Sequence, residues 1–207
     1  MRTFLIVLIF LTTHHLTSSL AAQEKKAPTE PNDPQSRYEP RSNPGEGQKF
    51  LQKFVGDWDV VKTFHPRSGG PVRQRGECRQ TMLHDGRFLQ SAFVFWSGDT
   101  KTTGTGLIGF DPASGRFTSV WIDSRSTRMS FRQGKEKFDG KRIELFSCSL
   151  GDDGKKGRSS RTITHLEDDG RRIVHRQSTA GDDGKERLVM ELILTKKPKK
   201  TADPGQK

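Results

Sequence analysis

Arginine and hydroxyl side chains are concentrated in the middle of the chain, in the sequence VWIDSRSTRMSF (residues 120–131). Arg125 and Arg128 follow a short apolar run that contains Trp121, at a predicted corner between two strands. Guanidinium groups bind carboxylates and phosphates through paired hydrogen bonds. Beside an apolar pocket they would hold the polar head of an amphipathic ligand. The alternative is a hydrogen-bonded corner whose arginines lie in solvent.

Paired carboxylates occur at three places, and each pair precedes a glycine: Asp152 with Asp153, Asp168 with Asp169, and Asp182 with Asp183. Asp-Gly sequences form tight turns, because glycine supplies the positive φ angle that these turns need. A general acid–base pair requires one carboxyl group in an apolar pocket. Turns of such a polar chain do not offer one, so no catalytic residues are predicted.

No metal or cofactor site is predicted either. His165 and His175 lie on neighbouring predicted strands, but no third ligand follows at close spacing, and a pair of surface histidines explains them. The segment GTGLIG (residues 104–109) has the composition of a phosphate-binding loop. It lies within a predicted strand and no helix follows it, so it lacks the structural context that a phosphate-binding loop requires.

Short strand-like runs alternate with turn signals from Gly56 to the C-terminal region. About ten such runs, joined mostly by tight turns, predict an all-β fold. A single antiparallel up-and-down β-barrel with a short N-terminal helix removes the open edges of such a meander. A two-sheet β-sandwich is the alternative.

The second predicted strand places polar residues on its inward face. Arg73, Arg75, Glu77 and Arg79 alternate with Gln74, Gly76, Cys78 and Gln80. A buried glutamine without a partner costs about 1–3 kcal/mol, and only 30% of the chain is hydrophobic. A partly wet or ligand-lined interior is therefore expected, with Gln90 as a further candidate on the next strand. Because Cys148 is expected to face outward, Cys78 and Cys148 are predicted to be free thiols.

The sequence KFLQKFVGDWDVV (residues 49–61) begins with apolar residues at helical spacing, and Gly56 and Trp58 follow at the head of the first strand. A short helix followed by Gly-x-Trp resembles the start of calycin barrels, the superfamily of lipocalins and fatty-acid-binding proteins. The resemblance implies that the helix plugs one barrel end. Gly56 would then allow the tight entry into the strand, and Trp58 would close the bottom of the core.

Longer segments resemble one bacterial family, the domain of unknown function 1579: KFLQKFVGDWDV, GRFLQSAF, GTGLIGFDPASGRFTSVWIDSRSTRM, DGKRIEL and GDDGKERLVMELILTKK. The resemblance covers residues 48–197 and implies a calycin-like barrel without assigned catalytic residues. Lipocalins often place an arginine of the last strand against the tryptophan, and Arg187 is the candidate here. Nitrobindin-like barrels bind haem through a strand histidine, but no feature of this sequence points specifically to haem.

Both ends of the chain are predicted to lie outside the folded domain. Residues 1–22 have a positive start, a short apolar run and small residues at the exit, the pattern of a secretory signal peptide. Residues 23–47, rich in proline and charge, predict a disordered linker, and residues 196–207 a disordered basic tail. The β-domain is residues 48–195 of a protein exported to the periplasm or the extracellular space. No transmembrane segment is predicted after signal cleavage.

The net charge of +11 invites the prediction of an anionic partner. Basic and acidic residues are interleaved through most of the domain, and no aromatic–basic motif that stacks bases is present. Nucleic acid is therefore not predicted as a partner. Weak contact with anionic surfaces through the basic tail is a possible electrostatic role.

Two functional hypotheses follow. In the first, an exported monomeric barrel binds a small, partly apolar, amphipathic ligand, with Phe93, Phe95, Trp121 and Met129 as the apolar lining and Arg125 and Arg128 as the polar rim. In the second, the barrel is filled and the protein is a non-catalytic envelope module. An enzyme would need a cluster of acid, base or nucleophile that the sequence does not assemble. A ligand-sized cavity inside the barrel separates the first hypothesis from the second.

Overall fold

The computed structural model describes residues 34–38, 42–150, 156–181 and 184–198. Within these ranges, only the backbone is described at residues 36–37, 148–150 and 156–158. The predicted signal peptide, most of the predicted linker and the tail beyond residue 198 lie outside these residues. Residues 34–38 contain a 3-10 helix, Pro34–Arg37. Residues from 42 onward form a separate compact unit. No helix in the described ranges is long and apolar enough to cross a membrane.

This unit is a closed antiparallel β-barrel in which each strand pairs with the next and the tenth pairs with the first. The predicted up-and-down barrel is confirmed, and the alternative sandwich is wrong. A short helix, α1 (Glu46–Gln52), precedes the strands. The strands are β1 (Gly56–Phe64), β2 (Val72–Leu83), β3 (Phe88–Ser97), β4 (Thr100–Asp111), β5 (Arg116–Asp123), β6 (Ser126–Gln133), β7 (Arg142–Leu150), β8 (Lys156–Glu167), β9 (Arg172–Ala180) and β10 (Glu186–Lys196).

Helix α1 begins within the segment predicted as linker, because two of its residues are held by the end of β4. The side-chain nitrogen of Gln48 donates a hydrogen bond of 2.7 Å to the carbonyl oxygen of Phe110. Gly47 packs so closely on the Phe110 ring that an added Cβ would lie 2.1 Å from it. The helix is thereby fixed against one end of the barrel.

Trp58 joins α1 to the barrel wall. Its side chain is fully buried, and its indole Nε1 donates a hydrogen bond of 3.0 Å to the carbonyl oxygen of Phe54. Gly56, between helix and tryptophan, has a φ of 143°, a conformation that favours glycine. The cation over the indole is Lys196, with Nζ 5.2 Å from the ring. The expectation for Arg187 was wrong, because its guanidinium instead contacts the carbonyl oxygen of His65, 3.4 Å away.

The two faces of β2 are those predicted. Gln74, Gly76, Cys78 and Gln80 lie on the buried side, and the alternating Arg73, Arg75, Glu77 and Arg79 are exposed. Cys78 is buried and free, and burial raises the pKa of its thiol well above the ordinary value. The side chain of Cys148 lies outside the described residues. The interior of the barrel therefore contains polar groups as well as an apolar core.

Candidate functional site

The barrel contains a cavity of about 180 Å³. This volume is close to the roughly 150 Å³ of an apolar cavity that accommodates benzene, and below the roughly 300–1,000 Å³ of pockets for drug-sized ligands. Toward α1 its wall is apolar, with Phe54, Leu89, Ile143, Ile173 and Leu194 among the lining residues. The cavity is therefore suited to a molecule of about the size of one substituted ring.

Aromatic rings form the wall of the cavity toward the end opposite α1. The Phe93 and Phe95 rings stack with centroids 5.6 Å apart, and Phe93 meets Trp121 edge-on, also at 5.6 Å. Phe93 and Phe95 share the inward phase of β3, and Trp121 enters from β5. These three rings create an apolar wall against which an apolar ligand would pack.

Two glycines of β4 make room for the indole of Trp121. A Cβ at Gly104 would lie 2.4 Å from the Trp121 ring, and one at Gly106 would lie 3.5 Å from it. A side chain at Gly104 would therefore push the indole out of place. GTGLIG, predicted as strand rather than phosphate loop, is indeed strand, and its glycines make space for a ring of the next strand.

Asp123 holds the corner between β5 and β6. Its carboxylate accepts hydrogen bonds from Trp121 Nε1 at 3.0 Å and from the backbone N–H of Arg125 at 2.9 Å. Although burial raises the pKa of Asp123, these hydrogen bonds and the charge of Arg125 hold it below its ordinary value. The Arg125 guanidinium lies 3.8 Å from the carboxylate and also borders the cavity.

Lys62 of β1 brings an ammonium group into this space. The residue is only 6% exposed, and its Nζ lies 3.6 Å from the centre of the Phe95 ring and 5.0 Å from that of Phe64. Burial, together with the charge of Arg125, lowers the pKa of Lys62 to about 8, while Asp123 opposes this shift. The ammonium is thus charged at neutral pH, with aromatic faces as its contacts.

Arg132 of β6 also lines the cavity. Its Nε is enclosed and has no hydrogen-bond partner, and burial lowers its pKa. Across the interior, the imidazole Nδ1 of His175 lies 2.7 Å from the Thr164 hydroxyl. Burial, with a contribution from the charge of Arg132, lowers the pKa of His175 to about 4. His175 is therefore neutral at pH 7 and Arg132 remains a cation.

The hydrogen-bonding groups of the inward glutamines are only partly satisfied, as expected from their inward positions. Gln80 donates a hydrogen bond of 3.0 Å to the Ser91 hydroxyl, but its carbonyl oxygen has no partner, and neither has that of Gln74. Ser91, and not Gln90, takes the inward phase of β3. These acceptors, like the donor of Arg132, are groups that water or a ligand would satisfy.

The structure brings together four of the six residues that the sequence suggested for a ligand site. Phe93, Phe95, Trp121 and Arg125 line the cavity, whereas Met129 and Arg128 do not. Met129 is 70% exposed, and Arg128 is exposed as well. Met129 adjoins Ser130, which lies opposite the cavity-lining Trp121, so alternation along β6 turns Met129 to the outer face.

Sequence reasoning missed Lys62, Arg132 and His175. Lys62 shares the phase of Trp58 and Val60 on β1, so strict alternation in DWDVVKTF would have placed it inside. The sequence indicated His175 more weakly. Its expected partner was His165, but the pairing of β8 with β9 places Thr164 opposite His175 instead. His165 bonds instead to Glu167 at 2.9 Å. In the described ranges no group of three or more metal-ligating side chains occurs.

Comparisons with known proteins agree with the fold. Residues 43–196 match a family model described as a protein of unknown function (DUF1579). The crystal structure of Rv2717c from M. tuberculosis is similar with a TM-score of 0.55 and 13% identity, over 75% of this chain and 100% of that one. An S-type phycobiliprotein lyase, CPES, from Guillardia theta has a TM-score of 0.49 and 10% identity, over 74% and 94%. At 13% identity the likeness to Rv2717c concerns the fold alone, and no curated protein matches the chain.

Proposed function

The chain belongs to the DUF1579 family of proteins of unknown function, and we propose that it binds a small, partly apolar ligand inside its barrel. The observation that carries this proposal is the cavity of about 180 Å³ between the aromatic wall and the aliphatic base. The unpartnered polar atoms of Gln80 and Arg132 also support it, because a filled barrel would leave them unsatisfied. The filled envelope module is disfavoured for the same reason.

We also propose that the protein is exported before it binds this ligand. The support is the N-terminal sequence, in which a short apolar run (residues 4–11) precedes the small residues of TSSLAAQ. Mass spectrometry of the protein purified from its own host gives the mature N-terminus directly. A start at Ala22 or Gln23 is expected. A chain that begins at Met1 would overturn export without affecting the cavity.

Trp121 provides a reporter for the ligand proposal, because its ring forms part of the cavity wall. Benzyl alcohol, a neutral probe of suitable size, is expected to change the tryptophan emission with a Kd of about 0.1–1 mM, a normal affinity for so few atoms. The Trp121→Phe variant tells whether the signal comes from this ring rather than from Trp58 or Trp96.

A matched pair of glycine variants tests whether the probe enters the cavity. Gly106→Leu extends a side chain into the cavity that Gly106 lines and should abolish binding. Gly70→Leu adds the same side chain where nothing lies within 4 Å of the Cβ position, and should bind as the wild type does. Equal binding by both variants, or no binding of benzyl alcohol to the folded wild type, would overturn the proposal.

A further inference from the structure

Among the residues that the structure describes, the charged side chains that line the cavity are all basic, Lys62, Arg125 and Arg132, and none is an aspartate or glutamate. From this arrangement we propose that the ligand is a small carboxylate anion. Its carboxylate pairs with Arg132, the ammonium of Lys62 in the same cavity supplies further positive charge, and its apolar body packs on the aromatic wall. This inference rests on the proposed function, since it names the ligand class of the same cavity.

Arg132 is the first support for an anion. Buried cations in proteins are normally paired with an acid or fully hydrogen-bonded, because removal of an ion from water is costly. The enclosed Nε of Arg132 has no hydrogen-bond partner, and no acidic side chain in the described ranges forms an ion pair with this guanidinium. A carboxylate is the group that matches a guanidinium best, since it can accept two parallel hydrogen bonds.

Lys62 is the second support. The acid whose charge acts on the Lys62 ammonium is Asp123, but the carboxylate of Asp123 already accepts hydrogen bonds from Trp121 and from the backbone of Arg125. The recorded contacts of the Lys62 ammonium are the rings of Phe64 and Phe95. Aromatic faces attract a cation but do not neutralise it. An anion in the cavity would supply the missing countercharge.

The remaining polar groups favour a single anionic group on an otherwise apolar ligand. His175 is neutral and bonds to Thr164, so it adds no further positive charge to the cavity wall. The apolar base and the aromatic wall need an apolar body to fill them, which inorganic phosphate lacks. A ring carboxylate and a short-chain fatty acid both combine one carboxylate with an apolar body. Their relative affinities show whether a ring or a chain fits the cavity better.

Isothermal titration calorimetry of the full mature protein tests the inference with probes that differ only in charge or in shape. Benzoate and benzyl alcohol have similar ring bodies, and only benzoate is an anion. Hexanoate replaces the ring with a chain, and inorganic phosphate removes the apolar body. Benzoate or hexanoate is expected to bind with an affinity at least about tenfold higher than that of benzyl alcohol. This gain is typical of charge-assisted hydrogen bonds.

Two arginines of β6 supply a matched control. Arg132→Met should reduce carboxylate affinity about tenfold or more, a larger loss than it causes for benzyl alcohol. Arg128→Met removes an exposed arginine four positions away on the same strand, outside the cavity, and should change neither affinity. Lys62→Met provides an independent second variant in case Arg132→Met does not fold.

The outcomes separate this inference from the function on which it rests. Benzyl alcohol binding as tightly as both carboxylates, or equal effects of Arg132→Met and Arg128→Met, would overturn the anion and leave the cavity as a binding site. Phosphate binding as tightly as the carboxylates would also overturn it. Failure of every probe to bind the folded protein would overturn the proposed function as well.

Discussion

The ammonium of Lys62 lies 3.6 Å from the centre of the Phe95 ring, inside the barrel. A desolvated cation–π contact contributes about 2 kcal/mol, whereas burial of an unpaired ion costs several kcal/mol. The contact therefore only partly offsets the cost of placing this charge in the interior. The barrel thus carries a positive charge that stability does not require, as the proposed anion site would need.

Replacement of Lys62 with methionine should stabilise the ligand-free protein. Because burial lowers the pKa of Lys62 to about 8, its protonated form is disfavoured in the folded state. Lys62→Met removes that cost, and we expect a free energy of unfolding about 1–2 kcal/mol higher at pH 7. Urea denaturation of the ligand-free protein measures it.

The stability gained in Lys62→Met should depend on pH. The folded-state pKa of Lys62 lies below the unfolded value of 10.5, so the wild type recovers stability as pH rises from about 8 to 10.5. The difference between the variant and the wild type should therefore shrink over this range. Lys101→Met, at an exposed position, should stay within about 0.5 kcal/mol of wild type. A less stable Lys62→Met at pH 7 would mean that the lysine contributes to folding.

Carboxylate affinity should fall when Lys62 loses its proton. A bound anion favours the ammonium form, so the benzoate affinity is expected to be level between pH 6 and 7 and to drop roughly 3- to 10-fold by pH 9.5. Arg125 and Asp123 are the other charged groups that act on Lys62. Calorimetry at each pH measures the effect, and Lys62→Met should remove it. An unchanged benzoate affinity at pH 9.5 would contradict the assignment of Lys62 to the anion.

His175 should make stability sensitive to acid. Its folded-state pKa of about 4 lies below the ordinary 6.5, so the unfolded chain binds more protons between these values. The stability associated with neutral His175 is complete above pH 6.5 and is lost as pH falls toward 4, by up to about 3 kcal/mol. Urea denaturation at pH 7 and 4.5 measures the loss of unfolding free energy in the wild type and in His175→Gln. The difference between the two losses isolates the contribution of His175, because all other titratable groups are present in both proteins. Equal losses of unfolding free energy in the two proteins would refute this role of His175.

The glycines of β4 should differ in their tolerance of a methyl group. A Cβ at Gly104 would lie 2.4 Å from the Trp121 ring, so Gly104→Ala must displace the indole and is expected to cost about 1–3 kcal/mol. At Gly106 the corresponding distance is 3.5 Å, and alanine there should be neutral or slightly stabilising. Thermal denaturation and the Trp121 emission spectrum measure the two effects. The same loss in both variants would show that close contact with Trp121 is not the reason for glycine at residue 104.

Local signals were enough to predict the architecture. Tight-turn sequences between alternating runs indicated a meander, and the helix before Gly56 and Trp58 marked the start of the barrel. Inward Gln74 and Gln80 followed from alternation along β2 alone. These features depend on neighbours in sequence, and that is why they could be inferred without coordinates.

The site was harder to predict because its residues meet across the barrel. Lys62 comes from β1 and Arg132 from β6, and no spacing in the sequence relates them. Met129 was assigned to the lining by its position in a promising segment. Alternation along β6 turns it outward, because its neighbour Ser130 lies opposite the cavity-lining Trp121, and that pairing between strands is set by the tertiary structure. Likewise, the role of Gly104 is visible only when the Trp121 ring lies over it.

Native mass spectrometry of the wild-type protein, purified gently from its own host, tests the central claim most directly. The account predicts a reproducible extra mass, about that of a small organic acid, that is lost on denaturation and is absent from the Gly106→Leu variant. A bare protein of the calculated mass, still bare after incubation with benzoate, hexanoate and benzyl alcohol, would contradict the claim that this barrel is a binding site.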